Sequence, residues 1–547
     1  MNKNKYLRLV IIVSLIFTLL NSAPFFYGLI HRPNDKVYLG TIHYYQDYFF
    51  YVSQFYQGAH GKWLNHNLYT GENTSPSLIY WQNIILGKIF SLFGLRAEYS
   101  YNFSLIALTF FRLLLTYLLI KLLSKNNSSK AFLAFIFHLI ATSFLNRIVV
   151  DDNVRYFPFL LWRTYQFAFF RLGGIPHHAL ETIFFIILTF YYFKNIPLKI
   201  FHLFLLFVFT VTLTLINPVP AALFIIAIII SLLFTHSLKY LPFKKSNLPL
   251  NLSVYYLKLI PLIAGFSLSF NYLTQVHQHQ PFLQVKLWEQ SQQIQTSLPF
   301  LFASMGPIVI LAIIGIIPII KNINPASFFI VSLPFISYTL FLSGIPKALG
   351  LGNFRLMFNG LYIFFGILAS EAVFFLNHLL DKKFSLNKKY TVLTLACCFI
   401  IFSVPTLIWE LKERISISKD QNSQMVYLDQ EIYSGFKKLE KLGNQENTVL
   451  ANSSSAFDTL IPALSGHKTF SGHNLLTINS ERKSADAAGF FQKKQTFEEG
   501  KKLLSENKIK YIFFTDLDGN PADFQNYYPF LKPVFENQSV TIFAVNL

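Results

Sequence analysis

Val219-Pro-Ala-Ala-Leu-Phe-Ile-Ile-Ala-Ile-Ile-Ile-Ser-Leu-Leu-Phe-Thr235 carries no charge, and the cluster Lys239, Lys244 and Lys245 follows it. A long uncharged run closed by lysines is the signature of a helix that crosses a bilayer and ends on its cytoplasmic side. The pattern recurs. Apolar runs at 7–30, 98–120, 131–150, 178–193, 200–216, 219–235, 255–274, 299–320, 326–343, 357–378 and 390–409 each come near the roughly 20 residues that span about 30 Å of hydrocarbon. The sequence therefore predicts a polytopic α-helical membrane protein of about eleven transmembrane helices.

Composition agrees. Of 547 residues, 53% are hydrophobic and 13% charged, and Phe occurs 61 times. Mean hydropathy is +0.42. A soluble domain carries about 25% charged residues. The net charge of +19 is placed in short gaps: Lys121, Lys125 and Lys130; Lys239, Lys244 and Lys245; Lys382, Lys383, Lys388 and Lys389. That is the distribution of cytoplasmic loops rather than of a basic face, so no nucleic-acid partner is expected. Cys397 and Cys398 are adjacent within an apolar run and form neither a disulfide framework nor a metal motif.

The basic start, Lys3, Lys5 and Arg8 before the first run, reads as an uncleaved signal anchor with a cytoplasmic N-terminus. Alternation then puts the lysine gaps 121–130, 194–199, 236–254, 321–325 and 379–389 inside. It puts 31–97, 151–177, 217–218, 275–298 and 344–356 outside. The segment 77–95 contains Gln82, Asn83 and Lys88 and reads as an interfacial helix, and the aromatic loop 151–177 suggests another. Two domains are expected: a transmembrane domain at 1–410 with outer loops 31–97 and 151–177, and a soluble extracytoplasmic α/β domain at 411–547. In the second, helices are expected at 430–442 and 498–507, strands at 448–451 and 510–514, and a hairpin at 534–545. The polar stretch 412–424 reads as a linker.

Carboxylates at the outer mouth of an apolar bundle are costly to keep and point to chemistry on a hydroxyl or a cation. Asp47 lies in Gln46-Asp47-Tyr48, soon after the first run, and Asp151-Asp152 lies just past the third. Asp47 could equally cap a helix at 48–57, and the Asp pair could end one helix or cap the next. Carboxylate oxygens suit a divalent cation, with Asp47 and Asp152 as its candidate ligands. Arg155, Arg163, Arg171, His177 and His178 gather in one outer loop around Gly173-Gly174, and Arg355 starts a later run. With Lys62 in the first loop, these are candidates for binding lipid phosphate, although interfacial cations also touch headgroups without function. Glu181 and Glu371 read as bundle-facing, hydrogen-bonded carboxylates, His277-Gln-His279 as a weak metal pattern, and Asp516-Leu-Asp518-Gly519 as a turn.

An acidic residue in the first outer loop, a Tyr-rich helix ending at Gly58, the stretch Thr74-Ser75-Pro76, and an amphipathic helix ending Phe93-Gly94 resemble the GT-C glycosyltransferases. These include protein O-mannosyltransferases and lipid A aminoarabinose transferases. The resemblance covers roughly 1–200 in pattern and 1–410 in span layout. Asp47 here has Gln46 and Tyr48 as neighbours, where many relatives carry two adjacent acidic residues. The resemblance implies sugar transfer from a polyprenyl-phosphate carrier, inverting the anomeric carbon, to an acceptor glycan, lipid or protein. Asp47 would act as base or acceptor-orienting group, with Asp151 and Asp152 in support. Two other classes remain open on the sequence: a lipid-linked sugar flippase and a non-catalytic surface assembly protein.

Overall fold

The computed structural model describes residues 3–161, 166–195, 199–239, 252–321, 324–384, 388–443 and 446–547. The chain forms two compact units, one of Met1–Asn21, Leu105–Thr274 and Glu289–Glu413, the other of Ser22–Ser104, Gln275–Trp288 and Arg414–Leu547.

The first unit is helical. Its core gathers around Leu361–Phe384, which packs against Ser128–Ile140 and Pro307–Ile320. Glycines let these backbones touch: a Cβ at Gly315 would lie 1.9 Å from the Leu368 carbonyl oxygen, and one at Gly366 2.6 Å from that of Ala134. Small residues at helix crossings are how membrane helices pack without a hydrophobic driving force. Pro307–Ile320 meets Leu298–Met305 at a break of 96°. The hinge is Gly306, at φ +73°, a conformation that L side chains rarely adopt.

Among the described residues, six helices are long and apolar enough to cross a membrane, or eight if each of two bent pairs counts as one span. The expected eleven is not reached by this count, which leaves aside the shorter apolar helices Ser128–Ile140 and Ile200–Ile216. The third expected span, 131–150, is the clearest difference: its helix stops at Ile140, and Leu145–Val150 then forms a hairpin with Asn153–Pro158. The run Ile-Val-Val at 148–150 is β-branched and prefers the extended chain to helix. The loop 151–177 accordingly begins as a strand, and its one described helix is the short Ala168–Gly173.

In the second unit a five-stranded sheet has the spatial order Lys468–Thr469, Thr448–Ala451, Ile509–Thr515, Val540–Val545, Leu531–Glu536. The first three strands run parallel and the last two close the sheet antiparallel. Gln430–Leu439 and Phe497–Glu506 are helices, the latter opened by a Thr496/Glu499 capping box. Asp516–Asp518 is a turn whose Asp518 carboxylate accepts from Thr515 N–H, as the turn reading expected.

The first loop belongs to this unit, which the division at 410/411 does not anticipate. Lys36–Tyr38 pairs antiparallel with Tyr427–Asp429. Thr469 N–H donates to the Leu68 carbonyl at 2.8 Å, Tyr69 Oη to that of Thr459 at 3.1 Å, and Asn67 Nδ2 to that of Leu476 at 2.9 Å. Long-range backbone pairing of this kind leaves no signal in local periodicity. The stretch 412–424 is not an extended linker either, because Lys388–Lys419 is one helix.

Within the unit, Tyr45–Ala59 packs on Trp81–Ser91 at contact distance. A Cβ at Gly58 would sit 2.1 Å from the Ile84 carbonyl oxygen, and one at Gly87 2.3 Å from that of Phe55. Gln82 and Asn83 are buried at this crossing rather than solvated, and Asn83 Nδ2 donates to Gln54 Oε1 at 2.6 Å.

Candidate active site

Asp47 stands in the first turn of Tyr45–Ala59, whose N-cap is Tyr44, so it is not the cap of that helix. The first turn faces a carboxylate with the positive end of the helix dipole. Its side chain is 47% exposed, and its Oδ1 lies 3.5 Å from Nε2 of His473, which is 6% exposed. The sequence holds these two residues more than four hundred positions apart.

The His473 ring is tightly held. Leu475 N–H donates to its Nδ1 at 3.1 Å. Its backbone N–H donates to Thr477 Oγ1 at 3.2 Å, and Thr477 N–H returns a bond to the His473 carbonyl at 2.9 Å. Phe50 and Tyr69 meet the ring edge-on, at 5.7 and 5.8 Å between centroids. Gly472, at φ +153°, lets the chain turn into this position; a Cβ there would meet the Asp458 carbonyl oxygen at 2.8 Å.

Two further titratable groups flank the pair. His43, whose Nε2 lies 2.8 Å from Tyr101 Oη, is pushed down by burial to about 4, with Asp47 acting in the opposite sense. Asp458 is buried and pushed up to about 6, although Ser471 Oγ, at 3.0 Å, and Thr459 N–H, at 2.8 Å, both donate to it. The consequences for stability oppose each other. The His43 contribution is present above its ordinary value of 6.5 and is lost as pH falls through about 4. That of Asp458 is complete below its ordinary value of 3.8 and is lost as pH rises through about 6. Asp458→Asn leaves the His43 term uncompensated. The unfolding temperature of this variant is expected to fall more steeply than that of the wild type as pH drops from about 6.5 to about 4. A slope equal to the wild type's would contradict the assignment.

Asp151 and Asp152 belong to the first unit. They form the tip of the two-residue hairpin, at φ +49° and +58°, with Val150 and Asn153 paired across it. Both positions of such a turn need φ above zero, which Asp tolerates. They are exposed, and neither ends a helix nor caps one. D151N/D152G keeps the turn chemistry and removes both carboxylates. If the pair orients an acceptor, this variant should fold normally and transfer about tenfold more slowly; unchanged transfer would leave the pair a turn and nothing more.

The cations of the expected phosphate site fall in different surroundings. Arg171 is fully buried: its Nη2 donates to the carbonyls of His138 at 2.8 Å and Ala141 at 2.6 Å, and its guanidinium lies 4.1 Å from the centre of the Tyr362 ring. Glu410 fixes the same short helix by accepting from the N–H groups of Phe169 and Phe170, at 3.1 and 2.7 Å. His177, buried, and His178 start the helix Pro176–Phe193, with their rings 4.5 Å apart. Arg355 pairs with Glu289. Arg155 is exposed on the hairpin opposite Ile148. Arg163 lies outside the described residues.

Lys62 belongs to the second unit, 4.0 Å from Glu446, in a polar recess lined also by His60, His66 and Lys468. Glu371 accepts from Lys130 Nζ at 2.8 and 3.0 Å, and Glu181 from Asn217 Nδ2 at 3.0 Å, as expected of bundle-facing carboxylates. Among the described residues no three His, Cys, Asp or Glu side chains gather as a metal-holding group.

Sequence reasoning missed His473, Glu410 and Arg112, the last buried with its Nη1 donating to the Arg171 carbonyl at 2.5 Å. Only His473 carried a local signal, the glycine before it.

A unit of apolar helices, six of them long enough to cross a membrane among the described residues, and a C-terminal sheet region make up the fold. Solved structures with this fold include the archaeal oligosaccharyltransferase AglB from Archaeoglobus fulgidus in complex with an inhibitory peptide and a dolichol-phosphate. It is 10% identical, with a TM-score of 0.50 over 96% of this chain and 71% of that one. The Archaeoglobus fulgidus oligosaccharyltransferase tethered to an acceptor peptide containing the NVT sequon is 12% identical, with a TM-score of 0.51 over 94% of this chain and 69% of that one. Its apo form is 12% identical, with a TM-score of 0.50 over 94% and 70%. At such identity the likeness is one of fold. No family model matches the chain, and no curated protein matches it in sequence.

Proposed function

We propose that the protein is a membrane glycosyltransferase that moves a sugar or glycan from a polyprenyl-phosphate carrier to an acceptor glycan, lipid or protein on the outer membrane face. The observation that carries this is a half-exposed carboxylate, Asp47, held beside a buried imidazole in a fold shared with an oligosaccharyltransferase solved in complex with a dolichol-phosphate. The acceptor atom attacks the anomeric carbon. Its proton passes to the Asp47 carboxylate, and the bond from the anomeric carbon to the phosphate oxygen breaks, leaving the electron pair on the lipid phosphate. Asp151 and Asp152 keep their proposed role as further acidic groups for the acceptor. Arg155, Arg163, His177, His178 and Arg355, and separately Lys62, keep their proposed role as cations for lipid phosphate. The lysine gaps support a cytoplasmic N-terminus and an extracytoplasmic 411–547.

Donor class tests the reading. Purified protein in lipid nanodiscs should make product from polyprenyl-phosphate-linked sugar and none from nucleotide sugar. A preference for the nucleotide sugar would overturn it.

A further inference from the structure

We propose that His473 is a positioning residue for Asp47, so that the site is built jointly by the first loop and the C-terminal segment. The inference deepens the proposed function and rests on that reading. Its ground is the hydrogen-bond inventory of one imidazole. Leu475 N–H donates to Nδ1, which must therefore carry a lone pair, and the ring proton of the neutral imidazole sits on Nε2. That Nε2–H is buried and, among the described residues, has no hydrogen-bond acceptor within normal geometry. A buried donor left unmade is costly, so the sequence has reason to supply an acceptor. The Asp47 carboxylate oxygen 3.5 Å away is the group that faces it. This spacing is at the outer limit of an N–H···O bond, and catalytic hydrogen bonds are commonly long before substrate binds and tighten afterwards.

The surroundings fit a positioning role. The ring is held by Leu475 N–H on Nδ1 and by two aromatic edges, and its backbone by two bonds to Thr477 and by the Gly472 turn. Thr477 Oγ1 in turn donates to the Tyr69 carbonyl of the first loop at 2.6 Å. Asp47, by contrast, is half exposed at a helix start. A fixed imidazole N–H on Oδ1 leaves Oδ2 to receive the acceptor proton. His473 acts through Asp47 and touches no reacting atom.

The test compares His473→Phe, His473→Gln and Asp47→Asn in the full-length protein in nanodiscs, with polyprenyl-phosphate-linked sugar as donor. Phe keeps the ring and removes the donor; Gln returns an N–H near the Nε2 position. His473→Phe should lower kcat about tenfold or more with the KM for donor within about twofold, and His473→Gln should recover most of the loss. His473→Ala with added imidazole gives a second route if the Phe variant is unstable: imidazole should raise its kcat. The proposal is overturned if His473→Phe keeps wild-type kcat, if Gln fares no better than Phe at equal melting temperature, or if folded His473→Ala is not rescued. Loss in Asp47→Asn with no loss in His473→Phe rejects only this inference. Full activity in Asp47→Asn rejects the glycosyltransferase site itself.

Discussion

Asp47→Asn should lower sugar transfer about 100-fold or more while leaving the melting temperature close to the wild type's. The substitution keeps the shape of the side chain and its place in the first turn of Tyr45–Ala59. On the proposed mechanism it removes the group that takes the acceptor proton. An amide can still accept from His473 Nε2–H, so the surrounding packing of Phe50, Tyr69 and Thr477 has no reason to change. The first-turn charge is worth roughly 0.3–1 kcal/mol to an exposed helix start, too little to unfold the unit. Binding of donor should be nearly unaffected, so the loss belongs in kcat. Near-normal turnover would reduce Asp47 to a helix-start charge, and the site would have to be sought elsewhere.

The second large effect is expected at Arg171, and of a different kind. In the sequence this arginine stands among outer-loop cations and looks like a phosphate ligand. In the fold it is fully buried and committed to the carbonyls at the end of Ser128–Ile140. Helix ends leave carbonyls without intrahelical partners, and a buried guanidinium satisfies several at once. Arg171→Ala strips these partners and the contact with Tyr362. Losing one side of a buried charged contact costs roughly 3–5 kcal/mol, a large share of a typical domain's stability. The variant should therefore aggregate or fail to give a monodisperse peak in detergent. A well-folded Arg171→Ala protein that lost only donor affinity would restore the phosphate role.

What could be read from the sequence divides along the range of the interactions. Thr448–Ala451 falls where the sequence puts a strand, and the helix expected at 498–507 is found at Phe497–Glu506. Apolar runs such as Pro325–Leu342 give spans by length alone. The same rule over-reads 131–150, because hydropathy does not separate a buried helix from a strand; the β-branched 148–150 was the available warning. Asp47 was legible as an unusual carboxylate. Its partner was not, since His473 reaches it only because Lys36–Tyr38 pairs with Tyr427–Asp429 and Thr469 bonds to Leu68. Those are backbone contacts across most of the chain, and no periodicity encodes them.

The central claim is that this chain transfers a sugar from a lipid phosphate. Its most direct test is to incubate the purified wild-type protein in nanodiscs with isotopically labelled polyprenyl-phosphate-linked sugar and a mixed set of acceptor glycans, lipids and peptides. Free lipid phosphate and labelled acceptor would then be followed together by mass spectrometry. The account predicts that both appear in equal amounts and that both vanish in Asp47→Asn. Movement of the intact lipid-linked sugar across the bilayer, with no lipid phosphate released and no acceptor labelled, would contradict it.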